Sequence, residues 1–135
     1  MRYYVIEMPR TELITYKEKS GDVPLLRWLK SLPVKVRCKW EARFELLEQS
    51  GYELRRPACD YLRNDIYELR LRYGTIQCRV LYAFVGRNVV LLSHGFSKEG
   101  KVPDIEINRA IMNLKNYLIN PSIHTFKFED KDETR

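Results

Sequence analysis

The chain has 135 residues, 44% hydrophobic and 31% charged, enough for one domain with a real core and too few for two. Lys and Arg outnumber Asp and Glu by 24 to 18, a net charge of +6 that favours polyanionic partners: nucleic acid, a ribosome or an acidic protein. No stretch is apolar enough to span a bilayer and residues 1–10 carry no signal-peptide pattern, so a cytoplasmic protein without a membrane partner is expected.

In chain order, residues 3–8 are β-prone, and 12–16 continue or repeat a strand. Residues 17–22 form a charged turn. Leu25, Leu26, Trp28 and Leu29 predict a short helix over 23–32, with Asp22 as its cap and Pro24 in its first turn. Pro33 breaks that helix and starts a second, in which Val36, Trp40, Phe44 and Leu47 fall on one stripe. Gly51 stops it. The outcome is a helical hairpin with a basic outer face of Lys35, Arg37, Lys39 and Arg43.

After Pro57 the pattern turns to strands. Runs at 66–73, 76–85 and 88–96 are separated by Gly74-Thr75 and Gly86-Arg87, turns short enough to make the runs antiparallel neighbours. Residues 61–63 add a further strand before Asn64-Asp65. Pro103 opens a last helix, with Asp104 and Glu106 where carboxylates suit the dipole and Ile107, Ile111, Leu114 and Leu118 as its stripe. Asn120-Pro121 ends it. The fold class is therefore α+β: an N-terminal strand and helical hairpin packed on an antiparallel sheet, plus a C-terminal helix, with the helices on one face of the sheet and the other face left free. The domain covers residues 1–121. A charged tail, 122–135, is read as mostly disordered, with 125–128 as a short strand in the alternative.

Three cysteines, Cys38, Cys59 and Cys78, are odd in number and widely spaced, which suggests neither a disulfide framework nor a zinc pattern. Cys38 and Cys78 lie in apolar periodic segments and read as small core residues.

The hairpin turns fix a register. With Gly74-Thr75 as the turn, Leu71 faces Cys78 and Leu69 faces Val80 on an apolar side, while Arg72 faces Gln77, Arg70 faces Arg79 and Glu68 faces Leu81 on the other. With Gly86-Arg87 as the next turn, Arg79 lies opposite His94. Arg70, Arg79 and His94 then form one row across three strands. Like charges opposite each other need compensation. Either a phosphate gripped by the guanidinium groups supplies it, or Glu68 or a tail acid neutralises the pair, or a bulge shifts the register.

His94 is one of two histidines and reads as a structural residue or a proton-transfer group. Lys98 and Lys101 lie in the following loop. Asp60 and Glu68 do not form a convincing carboxylate pair. No Walker loop, dinucleotide fingerprint or metal-ligand spacing is present, so chemistry without metal or cofactor is the expectation. RNA carries its own nucleophile, the 2′-hydroxyl, so such a row suits its cleavage: arginines stabilise the phosphoryl oxygens, and His94 or a lysine moves the protons.

Tyr67-Glu-Leu-Arg70, Cys78-Arg-Val-Leu-Tyr82, Val90-Leu-Leu-Ser-His-Gly-Phe-Ser-Lys98 and Lys101-Val-Pro103 ahead of a helix with Ala110 together resemble the RelE/ParE toxin superfamily, most closely its HigB-type, phage-derived branch. The resemblance implies a microbial-RNase-like fold. It also implies the toxin of a type II toxin–antitoxin pair, a metal-free endoribonuclease that cuts mRNA on the ribosome and is neutralised by a helix-turn-helix antitoxin. By position, Arg79 corresponds to a phosphate-stabilising arginine, Arg70 to a basic residue of the catalytic region, and Lys98 to the first cation after the Gly-Phe step. With His94 these make the catalytic set, and Arg63, Arg72 and Lys101 are expected to bind RNA around it. Relatives usually carry two adjacent lysines where this chain has Lys98-Glu99, and its loop is one residue shorter. The alternatives are a ParE-like gyrase poison and a catalytically inactive RNA- or protein-binding member of the same fold.

Overall fold

A computed structural model describes residues 9–128. The β-prone segment at 3–8 and the end of the tail, 129–135, lie outside the described residues.

Strand β1 (Glu12–Tyr16) is followed by the two helices, α1 (Pro24–Ser31) and α2 (Val34–Ser50). Helix α1 starts on Pro24, with Val23 rather than Asp22 at the cap position. Asp22 instead binds the Arg27 guanidinium at 2.7 Å. Helix α2 buries the expected stripe of Val36, Trp40, Phe44 and Leu47, and ends on Gly51 at φ +55°. Cys38, expected in the core, points out from α2 and is exposed, because it falls outside that stripe.

Four antiparallel strands follow: β2 (Cys59–Arg63), β3 (Ile66–Tyr73), β4 (Ile76–Gly86) and β5 (Val89–Ser97). Asn64 and Asp65 both have positive φ, which a two-residue hairpin of this hand requires. Helix α3 (Asp104–Ile119) comes next, then the short strand β6 (Thr125–Phe126), so the strand alternative holds for part of the tail. The sheet order is β2-β3-β4-β5-β1-β6. Strand β1 inserts parallel to β5, from Glu12↔Val89 to Thr15↔Leu92, so the sheet is mixed rather than purely antiparallel.

The expectation that one sheet face stays free is overturned. Helices α1 and α2 cover one face, where Trp40, Leu47 and Leu25 meet Leu69, Val80, Tyr82 and Leu92. Helix α3 covers part of the other, with Ile107 and Ala110 against Ile66, Leu81 and Ala83. The physical reason is the continuous run Val80-Leu81-Tyr82-Ala83, buried throughout: a central strand apolar on both faces needs cover on both. Each large side chain so enclosed contributes roughly 1.5–3 kcal/mol. Within α3 the inner residues are Ile107, Ala110 and Asn113, whereas Leu118 of the expected stripe is exposed. Among the described residues no helix is long and apolar enough to cross a membrane.

Candidate functional site

The β3–β4 hairpin turns at Gly74, whose φ of +61° suits a residue without a side chain. From that turn the ladder runs Tyr73↔Ile76, Arg72↔Gln77, Leu71↔Cys78, Arg70↔Arg79, Leu69↔Val80 and Glu68↔Leu81, as the sequence register has it. Two guanidinium groups thus stand side by side on the α3 face, beyond the part that α3 covers.

Glu68 compensates them. Its Oε1 accepts Arg70 Nε at 2.6 Å and Arg79 Nε at 3.1 Å, and its side chain is 4% exposed. Of the explanations the sequence left open for the arginine pair, neutralisation by Glu68 is the one realised. Asp60 stands opposite Glu68 across β2 and β3, and its Oδ2 accepts Arg70 Nη2 at 3.1 Å and Arg56 Nη2 at 2.9 Å. The carboxylates that looked unrelated in sequence therefore flank one arginine. An irregularity between Tyr61 and Arg63 brings them opposite each other. The Arg56 hydrogen bond holds the Asp60 carboxyl below its usual range, with the Arg70 charge adding to it. The bond to Glu68 pushes the Arg70 guanidinium upward.

The two arginines differ in what they leave open. Arg79 is nearly sealed: besides Glu68, its Nη1 donates to the Lys98 carbonyl at 2.6 Å and its Nη2 to Gln77 Oε1 at 3.3 Å. It clamps the end of β5 to β4, next to the bond from Lys98 N–H to the Gln77 carbonyl. Arg70 has a side chain 38% exposed, and Arg72, two residues on, is exposed. Lys98 and Lys101 are exposed on the loop that leads to α3.

His94 does not join the row. Arg79 faces Phe96, and His94 faces Leu81. The β4–β5 turn consists of Arg87-Asn88, with Gly86 paired to Val89, one step later than the expected Val85–Asn88 closure. Moving a hairpin turn by one residue slides every partner by two, and the two ladder irregularities, at Ser93 and Val85, cancel. His94 is consequently buried under α3. Its Nδ1 meets Ser93 Oγ at 2.9 Å, its Nε2 meets Glu106 Oε1 at 3.2 Å, and Asn113 of α3 donates to the same Ser93 hydroxyl at 3.0 Å. Burial, with the Arg109 charge adding to it, pushes the imidazole down to about 3, so it is neutral at physiological pH. Arg63 also stands apart, at the end of β2 opposite Ile66, bound to Asn108 at 2.9 Å and Asp104 at 3.6 Å of α3.

Beside the arginine pair, a cleft of about 410 Å³ runs along β3, lined by Arg70, Arg72 and Arg79 and by Arg43 of α2. A second cleft of about 600 Å³ shares Arg43, Leu71 and Arg72 with it and continues along α2 to Lys39. Arg43 and Lys39 read in sequence only as an outer helix face. Their four-residue spacing was the available signal, but nothing in it told which strand they would meet. Among the described residues, no group of three or more His, Cys, Asp or Glu side chains is placed to hold a metal ion. The arrangement offers braced, outward-facing cations suited to phosphate groups.

No curated protein matches the chain. A family model described as "Phage derived protein Gp49-like (DUF891)" matches residues 27–115, from α1 through most of α3. That stretch holds the arginine pair, Glu68 and both clefts, and it is most of the chain. The chain therefore belongs to the phage-derived Gp49-like family, a toxin–antitoxin toxin family within the RelE/HigB-like superfamily.

Proposed function

We propose that this protein is the toxin of a type II toxin–antitoxin pair, a cytoplasmic endoribonuclease of HigB type that cuts mRNA on the ribosome through the RNA 2′-hydroxyl. A helix-turn-helix antitoxin neutralises it. The observation that carries this reading is the pair Arg70 and Arg79, held side by side on Glu68 at the mouth of a cationic cleft. Catalysis of this kind needs charge fixed in advance where the phosphoryl oxygens become more negative, and a braced guanidinium supplies it without reorganising.

In this reading Arg70 and Arg72 grip the scissile phosphate, and Arg79 fixes the loop that carries Lys98. The 2′-oxygen bonds to phosphorus as its proton passes to solvent water, the bond from phosphorus to the 5′-oxygen breaks, Lys98 protonates that leaving oxygen, and Lys101 adds charge nearby. His94, enclosed and neutral, is a positioning residue that joins β5 to α3, and Arg63 likewise ties the β2–β3 turn to α3.

Inducing the protein in bacteria and mapping mRNA 5′ ends tests the proposal. Growth arrest with new ends in translated messages is expected. Arg70→Ala or Arg72→Ala should reduce both at least tenfold, or about 1.4 kcal/mol of barrier. Lys115→Ala, on exposed α3 surface, should change neither. Arrest with intact mRNA and damaged DNA would replace this reading with gyrase poisoning, and no arrest would leave a binding protein.

A further inference from the structure

The two clefts have a feature that phosphate-gripping at Arg70 does not use. They run together from the arginine pair, past the end of β2, to the flank of α2. Strand β2 begins its pairing at Cys59↔Leu69, and the last bond on that side goes from Arg70 N–H to the Ala58 carbonyl. Pro57, which has no N–H, comes next in the cleft wall. By strand alternation the Arg72 N–H faces the same side as that of Arg70, so the far end of β3 presents an open edge to the cleft.

The charge along this path is lopsided. Arg43 and Lys39 lie one helical turn apart, and Glu45 is the lone acid beside them in the lining. Arg70 and Arg79 are partly spent on Glu68 and Asp60. Arg72, Arg43 and Lys39 form no ion pair among the described residues, so their charge is uncompensated. Ala42 and Leu46 of α2 give the path an apolar floor. A lone cationic row would suit any polyanion. A cationic groove with an apolar floor, long enough to pass from sheet to helix, suits a single strand whose backbone follows the charge while its bases lie on the floor.

We infer that the groove between the β3 edge and α2 is a track for single-stranded RNA, in which Arg43 and Lys39 hold phosphates beyond the one gripped by Arg70 and Arg72. The inference rests on the RNA-directed reading of the arginine pair and extends it to a helix outside that site. Arg43 and Lys39 contribute binding and no chemistry.

The test uses a 2′-O-methyl oligoribonucleotide, which cannot be cut through its 2′-oxygen, so binding is read apart from cleavage. Its affinity for the full chain is measured by fluorescence anisotropy over a series of salt concentrations. Each phosphate contact in a single strand contributes about 0.7 to the slope of log affinity against log salt. Arg43→Gln and Lys39→Gln should each flatten the slope by about 0.7, and the double variant by about 1.4. Lys115→Gln should leave it unchanged. Glutamine keeps the helix propensity of α2, and matching thermal melts establish that the variants fold. An unchanged slope in the folded double variant overturns the inference. So does a groove that binds poly-glutamate in an Arg43-dependent way while RNA binding is indifferent to Arg43, which would assign it to a protein partner. Native protein that leaves mRNA intact in cells but shows the slope changes would refute the cleavage reading and leave the track standing.

Discussion

Arg70 and Arg79 stand directly opposite each other on β3 and β4, and both donate to the same Glu68 oxygen. Two cations and one buried anion make a triad whose middle member is irreplaceable by a neutral group of the same shape. Removing one partner of such a buried arrangement leaves uncompensated charge, a loss of roughly 3–5 kcal/mol, whereas exchanging the whole set for apolar residues is often neutral.

Glu68→Gln should accordingly destabilise the fold by about 3 kcal/mol in urea denaturation. The pair Glu68→Leu with Arg79→Leu should recover most of that loss. A Glu68→Gln protein as stable as the native one would refute the triad as a stabilising unit.

Arg79→Lys should loosen the chain at Lys98. An ammonium group cannot reach Glu68, Gln77 and the Lys98 carbonyl together as the planar guanidinium does. Limited trypsin digestion should then cut after Lys98 and Lys101 several-fold faster than in the native chain, while cutting in α2 stays unchanged.

His94 predicts a pH dependence. Its folded value of about 3 lies below the ordinary 6.5, so below pH 6.5 the unfolded chain takes up a proton that the folded one refuses. The contribution is fully present above pH 6.5 and is lost as pH falls toward 3, by up to about 1.4 kcal/mol per pH unit. Stability measured at pH 7, 6 and 5 should fall more steeply for the native protein than for His94→Gln. Parallel curves would sink the assignment.

Gly95→Ala should destabilise the α1–β5 contact. A Cβ built on Gly95 runs into the Trp28 ring, which itself packs edge-on against Trp40 at 5.8 Å. Overpacking of this kind costs about 1–3 kcal/mol. Gly95→Ala combined with Trp28→Leu should regain part of it, as read by denaturant midpoint.

What could be read from the sequence followed local chemistry. Gly74 fixed one turn, and every β3–β4 pair fell into place from it. The α2 stripe was plain from four residues at helical spacing. The β4–β5 register departs from the one its glycine implies because Gly86 ends β4, and Arg87-Asn88 makes the turn without a glycine. Non-local relationships were the other gap. Nothing in residues 12–16 shows that they will lie parallel to β5. Nor does the face of α3 reveal that it will cover Leu81 and Ala83, although the unbroken apolar run 80–83 was a usable hint. Within the site, the two arginines were legible as a pair. Asp60 opposite Glu68 was not, since it depends on an irregularity in β2, and neither was the meeting of Arg43 with Arg72.

The placement of β1 also bears on how the molecule is made. Strands β2 to β5 are joined by tight hairpins and can zip together from neighbours, but β1 must pair with residues 89–92, more than half the chain away. Closing so long a loop is entropically slow. During synthesis, residues 12–16 leave the ribosome early and wait without a partner until β5 has followed. The arginine pair, by contrast, is complete as soon as the β3–β4 hairpin forms, so its local geometry precedes the finished sheet. β1 then docks beside β5, and β6 pairs with it to complete the far edge.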